Sequence, residues 1–394
     1  MSRATRAVGL IAFAQFLGTS LWFSINGAAD DLAREWGASA ADIGTLTSAV
    51  QLGFIAGTLV LGLTGLADRF RASRVFAFSA IVGAAWNAGF AVLGGGLASG
   101  AVLRFGVGVC LAGVYPIGMK MIVGWAPERA GAALALLVGM LTLGTAFPHA
   151  VKAAEVGLEW RSVILVSSLL AVIGAAIGLA LGDGPHLPAA RKAAGASAFK
   201  AFACPRFRAP ALGYFGHMWE LYAFWTVVPM LVARADLPLS THQSSAALSF
   251  EIIGAGAIGC VIGGWASKRT GSERVAAAAL LISGSCCLLV GAMGEWLPSG
   301  MLMLLLFVWG AAVIADSPQF SALSSQACPR ELVGSALAIQ NSIGFALTMI
   351  SISLCTRLVE SWGWSVALVL LLGPIVGLAG FLPALARSRV AARP

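Results

Sequence analysis

Between Asp42 and Asp68 the chain carries no charged residue, and none again from position 75 to position 94. Each gap holds the roughly 20 residues that a helix needs to cross a hydrocarbon core about 30 Å thick. Backbone N–H and C=O groups find no water there, so such runs fold as helices that satisfy their own backbone. The turn between them, 62–74, packs Asp68 with Arg69, Arg71 and Arg74, the composition of a membrane-surface loop. Any fold for this chain has to accommodate that alternation of long apolar runs and short basic turns.

Continued along the chain, the alternation predicts spans over 8–26, 43–66, 75–94, 101–123, 132–154 and 161–181. A second set follows over 209–232, 245–264, 275–294, 300–325, 334–358 and 364–386. Residues 182–208, with Pro185, Pro188 and Pro205 and five cations, form the linker between two halves, 1–181 and 209–394. Charged residues are 11% of the chain, against about 25% in a soluble protein, so no soluble domain is expected. Arg3 and Arg6 precede the first run as in a signal peptide. The polar residues that continue through it favour an uncleaved first helix.

The two halves echo each other. The turn at 62–74 returns about 200 residues later at 264–275. Tyr115-Pro116 stands before Pro127-Glu128-Arg129 as Ser317-Pro318 stands before Pro329-Arg330-Glu331, and Glu159-Trp160-Arg161-Ser162-Val163 resembles Gly363-Trp364-Ser365-Val366. Weak internal symmetry in a hydrophobic chain is the mark of a two-halved transporter.

Orientation follows from loop cations. One side collects Arg3, Arg6, Arg69, Arg71, Arg74, Arg129, Arg191, Lys192, Lys200, Arg206, Arg208, Lys268, Arg269, Arg274, Arg330, Arg387, Arg389 and Arg393; the other collects Arg34, Lys152, Arg161, Arg234 and Arg357. Both termini and the linker are therefore expected in the cytoplasm. The formal charge of +8 is scattered over these loops, which suits lipid headgroups rather than nucleic acid.

At this point the loop 62–74 gains meaning beyond its charge. Leu66-Ala67-Asp68-Arg69, together with Arg104-x-x-x-Gly108 in the fourth span, resembles the signatures of the major facilitator superfamily. The loop departs from that pattern at Thr64 and at Arg71-Ala72-Ser73. The resemblance covers essentially the whole chain. It implies an all-α membrane protein of twelve transmembrane helices in two pseudo-symmetric six-helix bundles, with spans 1, 4, 7 and 10 lining a central cavity. It also implies a gating role for Asp68, Arg69 and Arg74, and a monomeric carrier in a bacterial inner membrane.

The residues can be weighed against that expectation. Gln15, Thr19, Trp22 and Asn26 recur on one helical face of span 1. Facing lipid they would be costly, so they line a cavity or bond to neighbouring helices. In span 7, His217 and Glu220 share a face, and a carboxylate at mid-membrane is a functional candidate by default. Span 10 adds Asp316, Gln319 and, earlier on the same face, Trp309; span 4 adds Tyr115 with Arg104. Arg104 reads either as a hydrogen-bonding hub or as part of the coupling machinery, and Glu251 of span 8 either as an interhelical contact or as a coupling acid. Span 5 carries Thr142, Thr145 and His149 beside Pro148.

The expected activity is secondary transport of a small solute, coupled to protons through Glu220, Asp316, Glu251 and Arg104. Gln15, Thr19, Trp22, Asn26, Tyr115, His217, Trp309 and Gln319 form the substrate surface. A metal-ion or organic-cation carrier using the same acids is the alternative, and a non-transporting sensor a third reading. No Walker loop, nucleophile elbow, zinc motif or Cys-x-x-Cys pair occurs, so neither an enzyme, a cofactor nor a resident metal is expected. The seven cysteines and ten methionines read as packing. Reporter tags at both termini and within 182–208 should report cytoplasm; a periplasmic signal from the linker would overturn the twelve-span reading.

Overall fold

The computed structural model describes residues 2–154, 159–187, 199, 201–235, 244–327 and 333–391. Among these there are helices and turns but no strand. The N-terminal half comprises α1 (Arg3–Thr19), α2 (Ala40–Thr64), α3 (Ala72–Leu93), α4 in two pieces (Leu97–Leu111 and Tyr115–Trp125), α5 (Ala130–Ala154) and α6 (Trp160–Leu181). The C-terminal half comprises α7 (Pro205–Arg234), α8 (Ser245–Thr270), α9 (Ser272–Met293), α10 in two pieces (Ser299–Ala315 and Ser317–Ala327), α11 (Val333–Trp362) and α12 (Ala367–Ala391). Among the described residues nine stretches are long and apolar enough to cross a membrane, one of which, Ala336–Pro383, takes in both α11 and α12. The two further helices, α1 and α7, are the polar ones: α1 is short, and α7 carries His217 and Glu220 in its middle.

Helix ends follow local chemistry. Ser39 and Asp42 form a reciprocal capping box at the start of α2, and Gly65, at φ +64°, ends it. Pro116 and Pro318 lack the N–H that would continue the preceding helix, and their rings would crowd the carbonyls four residues back. Accordingly α4 breaks at 112–114 and α10 at Asp316. One expectation is corrected. The first span does not run as one helix to Asn26: α1 ends at Thr19 and the chain continues in tight i→i+3 turns. An amphipathic helix, Ala29–Trp36, follows, pinned to the ends of α5 and α6. Asp31 pairs with Lys152, and Glu35 accepts from Trp160 Nε1 at 2.6 Å and from Arg161 at 2.7 Å.

The packing repeats as the sequence does. In the first half α1 packs on α5 and α6, α2 on α4, and α3 on α6; in the second, α7 packs on α11 and α12, α8 on α10, and α9 on α12. The halves join along α2–α11 and α5–α8, two contacts that exchange under the same pseudo-twofold relation. Close approach needs glycine at matching places. A Cβ on Gly108 would run into the Val50 carbonyl of α2, and a Cβ on Gly310 into the Ile252 carbonyl of α8. The same sequence interval separates Gly108 from Gly310 and Val50 from Ile252.

Gly108→Ala and Gly310→Ala should each lower the thermal unfolding temperature in detergent, by overpacking worth about 1–3 kcal/mol. Unchanged unfolding in both would mean these helices do not meet where described.

Candidate transport site

Between the halves, where α1 ends, the centre is filled with aromatic rings. Trp22 lies 5.7 Å from Phe345 of α11 in a near-parallel stack, 5.7 Å from Tyr222 of α7, 4.9 Å from Phe54 of α2 and 6.4 Å from Tyr115 of α4. Phe23 adds contacts to Tyr222 and Trp225. The cluster therefore draws on both halves. Trp22 Nε1 donates to Gln51 Oε1 at 3.3 Å, which fixes the indole edge.

Polar groups lie beyond this layer toward the end that carries the termini. Gln15 sits two turns before Trp22, about 10 Å along the chain direction. It is fully buried, and its amide nitrogen and oxygen both lack a protein partner. Gln340 of α11 is in the same condition. Buried amides without partners are unusual, because each unmade bond costs about 1–3 kcal/mol. Gln319 is buried nearby in the sequence of the α10 break, and Tyr115 is half-buried.

The second half carries two buried carboxylates in different settings. Glu220 accepts three hydrogen bonds: from Trp309 Nε1 at 2.6 Å, Ser283 Oγ at 2.9 Å and Cys287 Sγ at 3.2 Å. It thereby ties α7 to α9 and α10. Asp316 occupies the α10 break, with Oδ1 2.7 Å from His217 Nδ1, and both side chains are at most 2% exposed. The imidazole is turned out of line for a hydrogen bond, so the two groups lie in close polar contact, and His217 Nε2 has no partner.

Arg104 does something else. One guanidinium nitrogen donates to Leu21 and Trp22 carbonyls at 3.0 and 2.5 Å, the other to Asn87 Oδ1 at 2.7 Å and Ser24 Oγ at 3.1 Å. Asn87 passes the network on to Ile164 and Ser168 of α6. The donors of Arg104 thus go to neutral groups around the end of α1 and not to Glu220 or Asp316, so the hub alternative is the one that describes it.

The remaining expected site residues are scattered. Thr19 turns its hydroxyl back onto the Gln15 carbonyl at 2.8 Å, and Asn26 donates to Thr47 at 3.2 Å, so neither forms a continuous stripe with Trp22. Glu251 is exposed, unlike the two buried acids, because the face of α8 that packs on α5 and α10 lies elsewhere. Arg69 and Arg74 are exposed at the surface turn, while the side chain of Asp68 lies outside the described residues. Asp183, unmarked in the sequence reading, instead accepts from the Ser73 N–H at the start of α3, at 2.8 Å. Phe54, Phe345, Gln51 and Gln340 were also missed. The signal for Gln340 was available, since Gln340-Asn341-Ser342 interrupts an otherwise apolar span. No cluster of metal-binding side chains occurs among the described residues.

Two membrane-embedded bundles related by a pseudo-twofold axis, with polar and aromatic residues gathered where helices break between them, define a two-halved secondary carrier. The comparisons name the class. The chain matches the Major Facilitator Superfamily over residues 11–209 and again over 210–394, and it belongs to that family. Its fold is similar to that of a solved structure described as the MFS proton:xylose symporter XylE bound to 6-bromo-6-deoxy-D-glucose. The TM-score is 0.76 at 13% identity, with 96% of this chain and 95% of that one covered. No curated protein matches the sequence.

Arg104→Ala should strongly lower thermal stability, since each buried acceptor it abandons costs about 1–3 kcal/mol. Arg104→Lys should not restore it, because one ammonium cannot span both arms of the fork. Wild-type unfolding of the alanine variant would contradict the hub.

Proposed function

We propose that this secondary transporter moves a small uncharged polar solute and couples it to protons, by alternating access of halves 1–181 and 209–394 about the central aromatic layer. In this reading the protein works as a monomer in a bacterial inner membrane, with both termini and the linker cytoplasmic. The observation that carries it is the His217–Asp316 pair, buried at the break of α10. A permanent charge at such depth is expensive, and a group that can be neutralised is not. The pair is neutral when it holds one proton and singly negative when that proton leaves, so one proton changes the charge at the discontinuity of a helix. Glu220 ties the same stretch of α10 to α7 and α9 through Trp309, Ser283 and Cys287, which lets a change at the pair be felt across the second half.

The solute class is read from the lining. Aromatic rings from both halves supply flat apolar faces, while the amides of Gln15 and Gln340 offer donors and acceptors without a partner. Amides recognise hydroxyls and other neutral polar groups, whereas Glu220 is already engaged by three internal donors and Asp316 lies against His217. That favours an uncharged solute over a metal ion or organic cation, and makes pentoses and hexoses the first probes.

In proteoliposomes, Asp316→Asn should keep solute exchange and lose accumulation driven by a pH gradient. Accumulation at the wild-type rate would overturn the assignment. Glu220→Gln places an amide among three donors and should lower stability by about 1–3 kcal/mol while lowering accumulation; an unaffected variant would remove Glu220 from the account.

A further inference from the structure

At the end of the molecule away from the termini, a small cavity of about 40 Å³ lies on the seam between the halves. The first half contributes Asn26, Asp30, His149 and Lys152; the second contributes Thr226, Ser245 and Ser249 among apolar neighbours. One water needs about 10–15 Å³ of such volume, so the cavity has room for a few waters. Its polar lining is mostly satisfied within the protein. Asn26 bonds to Thr47, Lys152 pairs with Asp31, and the hydroxyls of Thr226 and Ser249 donate to their own helices. His149 differs: it is 3% exposed, and its Nε2 has no partner.

We propose that His149 is a proton-binding site of the seam, taking up a proton with water when the halves part at this end and releasing it before they close. The charges around it support this. On its own helix Lys152 lies three residues on, the same face, and brings a second positive charge. The helix after α1 offers Asp31, already shared by Lys152 and Arg34, and Asp30, which is exposed. Nearby on α7, Arg234 pairs with Glu360, and on α8 Glu251 is exposed. The closed seam therefore offers an imidazolium no buried counter-charge, whereas an open seam offers water. The site is also placed to report movement. A Cβ on Gly27 would meet the Pro148 carbonyl at 2.8 Å, so the tight turn after α1 touches α5 backbone to backbone immediately before His149.

By linkage, a proton that binds the open form and not the closed one shifts the equilibrium toward open as pH falls. The inference rests on the alternating-access reading but not on any solute or on coupling. It is tested in the full chain in lipid nanodiscs, with spin labels at the exposed positions 33 and 361, outside the cavity lining, and native cysteines replaced, by measuring the distance distribution. Between pH 7.5 and 5.5 the ratio of open to closed populations should rise several-fold, with one proton setting a ceiling of about 100-fold over two pH units. His149→Gln and, as a second neutral replacement, His149→Asn should remove most of that rise. A ratio independent of pH in the unmodified His149 protein, or an undiminished rise in either variant, would overturn the proposal. Because the readout is a distance, failure of solute flux leaves this result interpretable.

Discussion

A backbone in hydrocarbon has to satisfy its own hydrogen bonds, and this chain relaxes that rule at three places deep in the protein: the end of α1, the break in α4 and the break in α10. Each break frees carbonyl and amide groups that a continuous helix would have paired. At the first, Arg104 takes the Leu21 and Trp22 carbonyls. At the other two, Pro116 and Pro318 remove a donor, and tight turns or the Asp316 cap close the gap. The buried polar side chains collect at these points because the breaks are where polarity is already present. Irregular backbone at membrane depth is tolerated only inside protein or along a water-filled path, and such a path is what a carrier needs.

The pseudo-twofold relation then explains how one scaffold carries two kinds of chemistry. The interval that relates Gly108 to Gly310 also relates Gln15 to His217, and Tyr115-Pro116 to Ser317-Pro318. In the first half this set presents neutral groups, an amide and aromatic rings, around an arginine whose two terminal nitrogens are bound by structure. In the second half His217 stands at the place of Gln15, and Asp316, the neighbour of Ser317, lies 2.7 Å from it, with Glu220 held by three donors nearby. Solute recognition and charge management can thus sit in different halves of a symmetric frame and still meet where the turns after α1 reach α7, with Trp22 and Phe23 touching Tyr222.

Much of this architecture was legible in the sequence, since charge-free runs and basic turns leave few alternatives. The span count and the two-fold repeat follow from them, and the family follows from the motifs. The breaks were harder. Tyr115-Pro116 and Ser317-Pro318 were visible as a repeated pair, but a proline inside an apolar run kinks some helices and interrupts others, and only packing decides. The stripe from Gln15 to Asn26 assumed that α1 keeps its period beyond Thr19; Arg104, far away in the chain, pulls that segment out of register. Glu251 reads like Glu220 in sequence, yet helical rotation puts one outside and the other among three donors. Gln340 and Asn87 lay in plain view as isolated amides in apolar spans, and their partners, or lack of them, depend on contacts that no single sequence displays.

The central claim is that solute movement and proton movement are one event. Solid-supported membrane electrophysiology on reconstituted protein measures this directly, by challenging it with neutral solutes at zero voltage. A transported sugar carries no charge, so any current is carried by the coupled ion. The account predicts a transient current on addition of the right solute, with a sign and size that follow an imposed pH gradient and not a sodium or potassium gradient. Solute uptake accompanied by no current at any pH gradient would contradict it.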